Sequence, residues 1–230
     1  MSEIEGKTIE GLRGAAVQLS DLAISNCTFD NCLLRPQSIS GAWNSIRNVA
    51  LRNVKQKSCS VYTSKIETCS IHNLRVHGRH PLIMWGCVYS ETSLSGKIGF
   101  IKINRSVGLN EAAETAQPLW DKAMREFYAG VDWALDISNA KFTSSVSFEA
   151  VPGDKIRRDP ETQVLVTRDG LSKMDWRQLN YGNSGFGVAI DWFLHGSLFD
   201  STVLAARTGG RETRSDIEVL CMLRKHGIAS

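Results

Sequence analysis

Residues 49–78 read VALRN-VKQKS-CSVYT-SKIET-CSIHN-LRVHG when the chain is cut every five residues. The first and third places of these units hold Val49/Leu51, Val54, Cys59/Val61, Ile66, Cys69/Ile71 and Leu74/Val76. A period of five fits neither the 3.6 of an α-helix nor the 2 of an uninterrupted strand. Within a unit, however, the alternation is that of a strand, with places one and three inward and place two outward. The fourth and fifth places, which include Asn53, Asn73 and Gly78, are turn-formers. The chain therefore reads as a short strand, a corner, and a strand again.

The same pattern extends in both directions. Upstream it runs VQLSD, LAISN, CTFDN and CLLRP from Val17, then a degenerate QSISG that keeps only Ile39, before the phase slips by two. Downstream, after a second slip, come LIMWG, CVYSE and TSLSG. Five of the six cysteines (Cys27, Cys32, Cys59, Cys69 and Cys87) fall on the first place of a unit, where the lining residue must be small. Free cysteine behaves as a small buried hydrophobe. The spacings are too wide for a CxxC-type metal site, so core filler is the expected role and no metal is expected.

These units resemble the pentapeptide-repeat family. In that family a small residue and a Leu or Phe point inward in every five, and four units make one turn of a right-handed quadrilateral parallel β-helix. The resemblance covers residues 17–100 and implies about four coils. It departs from the family between the two inward residues, where the usual Asp or Asn is replaced by Gln18, Ala23, Thr28, Ser60 and Lys65. An antiparallel sandwich of short strands is the alternative. On the first reading the protein is mainly β, with a β-helix and its N-terminal cap over residues 1–104. An α+β module over 105–230 then covers the last coil. Capping is needed because open strand edges invite pairing.

In the second half Pro118 suits the first turn of a helix running to Ala129, with an apolar stripe from Leu119 to Tyr128. LDISNAKF repeats the inward pattern as Leu135/Ile137 and Ala140/Phe142, so the chain is expected to rejoin the β architecture there briefly. A strand is expected at Gln163–Thr167 and a buried helix near Val188–Leu194. A last helix is expected behind the capping box Ser215–Glu218, ending at Gly227.

Charge is split between the halves. Residues 17–104 carry ten basic against four acidic side chains, and residues 106–230 carry fourteen against seventeen. With about twenty residues per coil, Lys55 stacks with Arg75, Lys57 with His77, and Arg47 with Glu67. Lys55, Lys57 and Arg75 then form a basic face without compensating acids. That face, with His77 and the loop pair Arg157 and Arg158, is the candidate partner-binding set, read against a merely solvated basic surface. In the run His72, His77, His80 the first two are outward on successive faces of the five-residue frame and diverge, which speaks against a metal. Asp154, Asp159, Asp175 and Asp191 show no pairing. The chain has no phosphate loop, Rossmann glycines, HExxH or GxSxG, and no cofactor is expected.

The expected function is a non-catalytic protein-binding module, most concretely a bacterial immunity-type inhibitor that occludes the active site of a toxin. One alternative is an enzyme whose site lies between the C-terminal module and the last coil, using Arg157, Asp159 or Trp176. The other is a scaffold in which the open end of the coil pairs two copies as a homodimer. Nucleic acid is not the expected partner, since no aromatic residues interleave the basic face. The first residues lack an apolar signal segment, and no window is apolar enough to span a membrane, so a cytoplasmic address is expected.

Overall fold

A computed structural model of the chain describes residues 1–35, 42–77 and 80–230. The protein is mainly β, and nearly all strand pairing is parallel. This overturns the antiparallel alternative. The degenerate unit with Ile39, Gly78 and the basic Arg79 lie outside the described residues.

The strands sort into four ladders that the chain visits in turn. One ladder stacks residues 2–5, 22–25, 49–52, 70–72 and 93–95 in order. The next stacks 8–10, 28–30, 54–57 and 74–77. A third stacks 13–15, 33–35, 60–62, 82–85, 101–104 and 146–148. The fourth stacks 18–20, 44–47, 64–67 and 88–90. Partners lie twenty residues apart where the five-residue phase is unbroken, as in Ile4 with Ile24 and Leu51 with Ile71. Where the phase slips they lie further apart, as in Ile24 with Leu51 and Ile71 with Leu94.

The corner of each unit has one physical signature. Left-handed backbone recurs every five residues at Gly6, Gly11, Ala16, Asp21, Asn26 and Asn31, then at Asn48, Asn53, Ser58, Thr63, Thr68 and Asn73, then at Gly86, Glu91 and Gly96. Gly, Asn and Asp tolerate this region best, which explains their recurrence at the fifth place. Along one corner the asparagine side chains bond to one another. Asn26 donates to Glu5 at 3.0 Å, Asn53 to Asn26 at 3.4 Å and Asn73 to Asn53 at 2.9 Å, while Asn73 accepts from the Lys97 backbone N–H at 2.8 Å.

Inward places are mostly apolar as expected, with Gln56, Ser64 and Thr92 among the buried polar exceptions, and Cys27, Cys32, Cys59, Cys69 and Cys87 are all buried. Their thiols point at backbone carbonyls, as Cys32 does at Ile9 and Cys69 at Ile46. Full burial pushes the Cys87 thiol up to about 12. Only Cys221, outside the ladders, is exposed. A thiol-reactive dye applied to the native protein is therefore expected to label one cysteine rapidly and all six after denaturation. Rapid labelling of three or more in the native state would contradict this interior placement.

Two expectations are corrected at the ends of the stack. Residues 1–16 do not form a separate cap: Ser2–Glu5, Thr8–Glu10 and Arg13–Ala15 are strands that continue the period. Among the described residues each has a strand partner on one side only, so this edge is open. The ladders also pass the expected boundary at residue 104, at the LDISNAKF stretch where the chain was expected to rejoin the β architecture, and that expectation is met. After helix α1 (Glu111–Ala129), strand Leu135–Phe142 returns to pair with residues 92–98, and Ile156–Arg157 pairs with it in turn. The ladder beginning at Ser2–Glu5 thus holds seven strands, more than about four coils supply.

Helix α1 takes the place of the next strand in the fourth ladder. It starts at Glu111, seven residues before Pro118, because Asn110 caps it by accepting from the Ala113 N–H at 2.9 Å. Tyr128 accepts the Tyr89 backbone N–H at 3.2 Å, meeting a donor that a strand would otherwise meet. Trp120 packs edge-on against Trp43, with ring centroids 4.7 Å apart.

The rest of the chain forms a second hydrophobic cluster. It contains the short helix α2 (Arg168–Ser172), α3 (Phe186–Gly196), α4 (Glu212–Lys225) and one face of an antiparallel pair, Gln163–Thr167 with Ser201–Ala205, whose other face (Leu165, Val203, Ala205) packs in the first cluster. The strand expected at Gln163–Thr167 and the helix expected near Val188–Leu194 are both present. The capping box is not. Helix α4 begins at Glu212, and Glu218 instead pairs with Arg214 one turn earlier at 2.9 Å. The module covers the far edge of the ladders: the buried Gln163 amide donates to the Ile137 carbonyl at 2.9 Å, and the Thr208 N–H donates to that of Phe142 at 2.7 Å.

Candidate partner-binding face

The expected charge stacking is present. Lys55 is in register with Arg75, Lys57 with His77, and Arg47 with Glu67, each pair on adjacent strands about 4.8 Å apart. Lys55, Lys57, Arg75 and His77 are exposed at alternate positions of one ladder, on either side of the inward Gln56 and Val76.

One part of the expectation fails. Lys57 is compensated, because the strand on its other side places Asp30 opposite it, with Lys57 Nζ 2.9 Å from Asp30 Oδ2. This bond holds the Lys57 ammonium above the ordinary lysine value. Lys55 faces Thr28 on that side, and among the described residues neither Lys55 nor Arg75 makes a salt bridge.

The sequence reading missed two neighbours. Arg52 and His72 are in register with each other on the adjoining ladder, one corner away from Lys55 and Arg75. Both are exposed, and the His72 ring lies 3.0 Å from Ser95 Oγ. The five-residue frame contained the signal, since Arg52 and His72 are also twenty residues apart. The result is a band of Arg52, Lys55, Arg75 and two histidines wrapping a corner that the asparagine bonds stiffen. Acidic groups (Glu3, Glu5, Glu10 and Asp30) occupy the strands nearer the open edge of the same two ladders.

The other expected residues do not join this band. Arg157 is four strands further along the ladder of Arg52, beyond Ser70, Ser93 and Asp136, with its guanidinium over the Trp133 ring at 4.2 Å. Arg158 is only half-buried beside it. Asp159 organises its own loop, accepting from Thr162 Oγ1 at 2.6 Å and the Glu161 N–H at 3.1 Å, and the Thr162 bond lowers its pKa. Trp176 is a buried member of the second cluster. Arg157, Asp159 and Trp176 therefore do not converge.

A cleft of about 880 Å³ does lie between α1 and the C-terminal module, with Arg125, Lys155, Asp154, Asp169 and Asp200 among its walls. Asp154 is engaged by Ser201 Oγ at 3.1 Å, and the Lys155 ammonium by the Val131 carbonyl. No histidine lines the cleft, and neither do the three residues named for an enzyme. Compared with models of known protein families the chain matches none, and a search of curated proteins likewise found no match.

Proposed function

We infer that the four ladders close into a right-handed quadrilateral β-helix of the pentapeptide-repeat type, and that this protein works as a non-catalytic protein-binding module. One observation carries the reading: Lys55 and Arg75 hold like charges directly in register on regular strands, with Arg52 exposed one corner away. Like charges opposite one another destabilise a sheet, so the arrangement has a local cost that a complementary acidic partner would remove. The regular strands and the bonded asparagines favour a preorganised surface, which binds without losing much conformational freedom.

The most concrete form of this function is a bacterial, cytoplasmic immunity-type inhibitor that covers a toxin's active site with the basic band. The test is rescue. Cells expressing the toxin encoded beside this gene are expected to survive when this protein is co-expressed, and to die when it carries Lys55→Glu with Arg75→Glu. Death in both cases removes the immunity reading. Pull-down from the native host then identifies the partner of a binding module of another kind.

The open edge at residues 2–15 favours a second reading, a scaffold that pairs two copies there. Glu3 and Glu5 lie on one edge strand and Arg13 on another, so a two-fold pairing that sets these strands against each other matches opposite charges. A sizing column with light scattering is expected to give a dimer that Ile9→Pro converts to monomer. A monomer at every concentration rules this reading out.

A further inference from the structure

The space between the inward faces of the ladders is not filled. Leu19, Ile24, Phe29, Val61, Leu74 and Met84 are among the walls of an apolar cavity of about 210 Å³. Its origin is legible in the side chains. Small residues at position one (Cys32, Cys59 and Cys69) and medium ones such as Ile24, Val61, Ile66 and Ile71 at position three line it beside Leu19, Phe29 and Leu34, and together they leave the axis open. Leu12, 48 % exposed, lines the cavity at the open edge of the stack.

One wall residue breaks the pattern. Gln56 occupies an inward place in register with Phe29 below and Val76 above, and it is only 3 % exposed. Its Oε1 accepts the Cys59 backbone N–H at 3.1 Å, which fixes the orientation of the amide. Nε2 is thereby left without any partner. An unsatisfied buried donor costs on the order of 1–3 kcal/mol. A lone water is a poor remedy, because a buried water needs about two to four polar partners. The nearby Cys32, Cys59 and Cys69 thiols are already directed at backbone carbonyls.

We propose that the interior of the stack is a binding site for a small, mostly hydrocarbon molecule bearing one hydrogen-bond acceptor, such as a medium-chain ketone or aldehyde, whose oxygen receives Gln56 Nε2. The ligand enters at the open edge past Leu12. Its hydrocarbon part fills the axis and contributes in proportion to the apolar area removed from water, while the carbonyl satisfies the single orphaned donor. Cavities lined in this way stay dry and accept apolar guests of matching size.

The test uses 2-heptanone and its isosteric alkene, 2-methyl-1-heptene, titrated against the full chain while the interior Leu, Ile and Val methyl resonances are followed. Both are expected to shift these methyls in the wild type. In Gln56→Leu the ketone-to-alkene affinity ratio is expected to fall about two- to tenfold, the worth of one neutral hydrogen bond. Val61→Phe enlarges a third-place residue to one that Phe29 already exemplifies, and is expected to abolish binding of both. If Gln56→Leu does not fold, a direct contact between the Gln56 side-chain amide protons and the ketone α-methyl reads the same assignment. The proposal is overturned if neither ligand shifts the interior methyls or if Val61→Phe binds as before. An unchanged affinity ratio in a folded Gln56→Leu, or a missing amide contact in the fallback, overturns it equally.

Discussion

Asp216→Ala is expected to lose about 3–5 kcal/mol of stability, the usual cost of removing one partner from a buried ion pair. Asp216 is 1 % exposed on the inner face of α4, beside Val219, Leu220 and Leu223. Its Oδ2 accepts the Arg207 backbone N–H at 2.9 Å and Nε at 2.8 Å, and its Oδ1 accepts Nη2 at 2.7 Å. The alanine variant leaves Nε of the mostly covered Arg207 guanidinium and the Arg207 backbone N–H without their acceptor. Arg207 Nη2 also donates to the Asn183 carbonyl at 2.9 Å, so the cation is tethered and not free to swing into water. Removing both charges, as in Asp216→Leu with Arg207→Met, is expected to cost less than the single change, since no buried charge is stranded. Urea unfolding with tryptophan fluorescence measures both variants. The second hydrophobic cluster is expected to unfold in an earlier, separate transition in Asp216→Ala. A loss under about 1 kcal/mol would mean that Arg207 finds other partners.

The ladders were legible because a strand-like alternation repeating at five leaves few alternatives. Fixing the repeat at twenty residues then placed Lys55 against Arg75 and Arg47 against Glu67 by counting alone. The same arithmetic hid the Asp30–Lys57 pair. Those residues are twenty-seven apart, and the extra length lies at the first phase slip, where no period can be counted. Arg52 and His72 were countable but sit round a corner, outside the one face considered. The return of the ladders after residue 130 was only half visible. The LDISNAKF stretch carries the inward pattern, but α1 stands where a strand would have continued the count. The expected start of α4 failed for a different reason. Ser215 and Glu218 fit a capping box by spacing, yet the four-residue spacing of Arg214 and Glu218 and the inward Asp216 favour a helix already under way. Gln56 stands at the third, inward place of VKQKS, but a polar residue there reads as a lapse of the pattern until its register with Phe29 and Val76 and its burial are known.

Lys55→Gln combined with Arg75→Gln is expected to slow association with the partner recovered from the native host about tenfold or more at low ionic strength. The same variant is expected to be as stable as the wild type or more so, by roughly 0.2–1 kcal/mol, because two like charges directly in register no longer repel. These opposite signs separate function from architecture. A side chain retained for the fold weakens the fold when removed, whereas these two are expected to weaken only the complex. Salt supplies a second discriminator, since screening lengths fall to about 8 Å near physiological ionic strength. The association rate of the wild type should drop steeply with added salt, and that of the variant should change little. The neutral pair is the internal control: Lys57→Gln combined with Asp30→Asn removes no net charge, so it should alter the association rate far less. If the double variant binds at the wild-type rate at low salt, the basic band is only solvated surface, and the search for the docking site moves to the cleft beside α1.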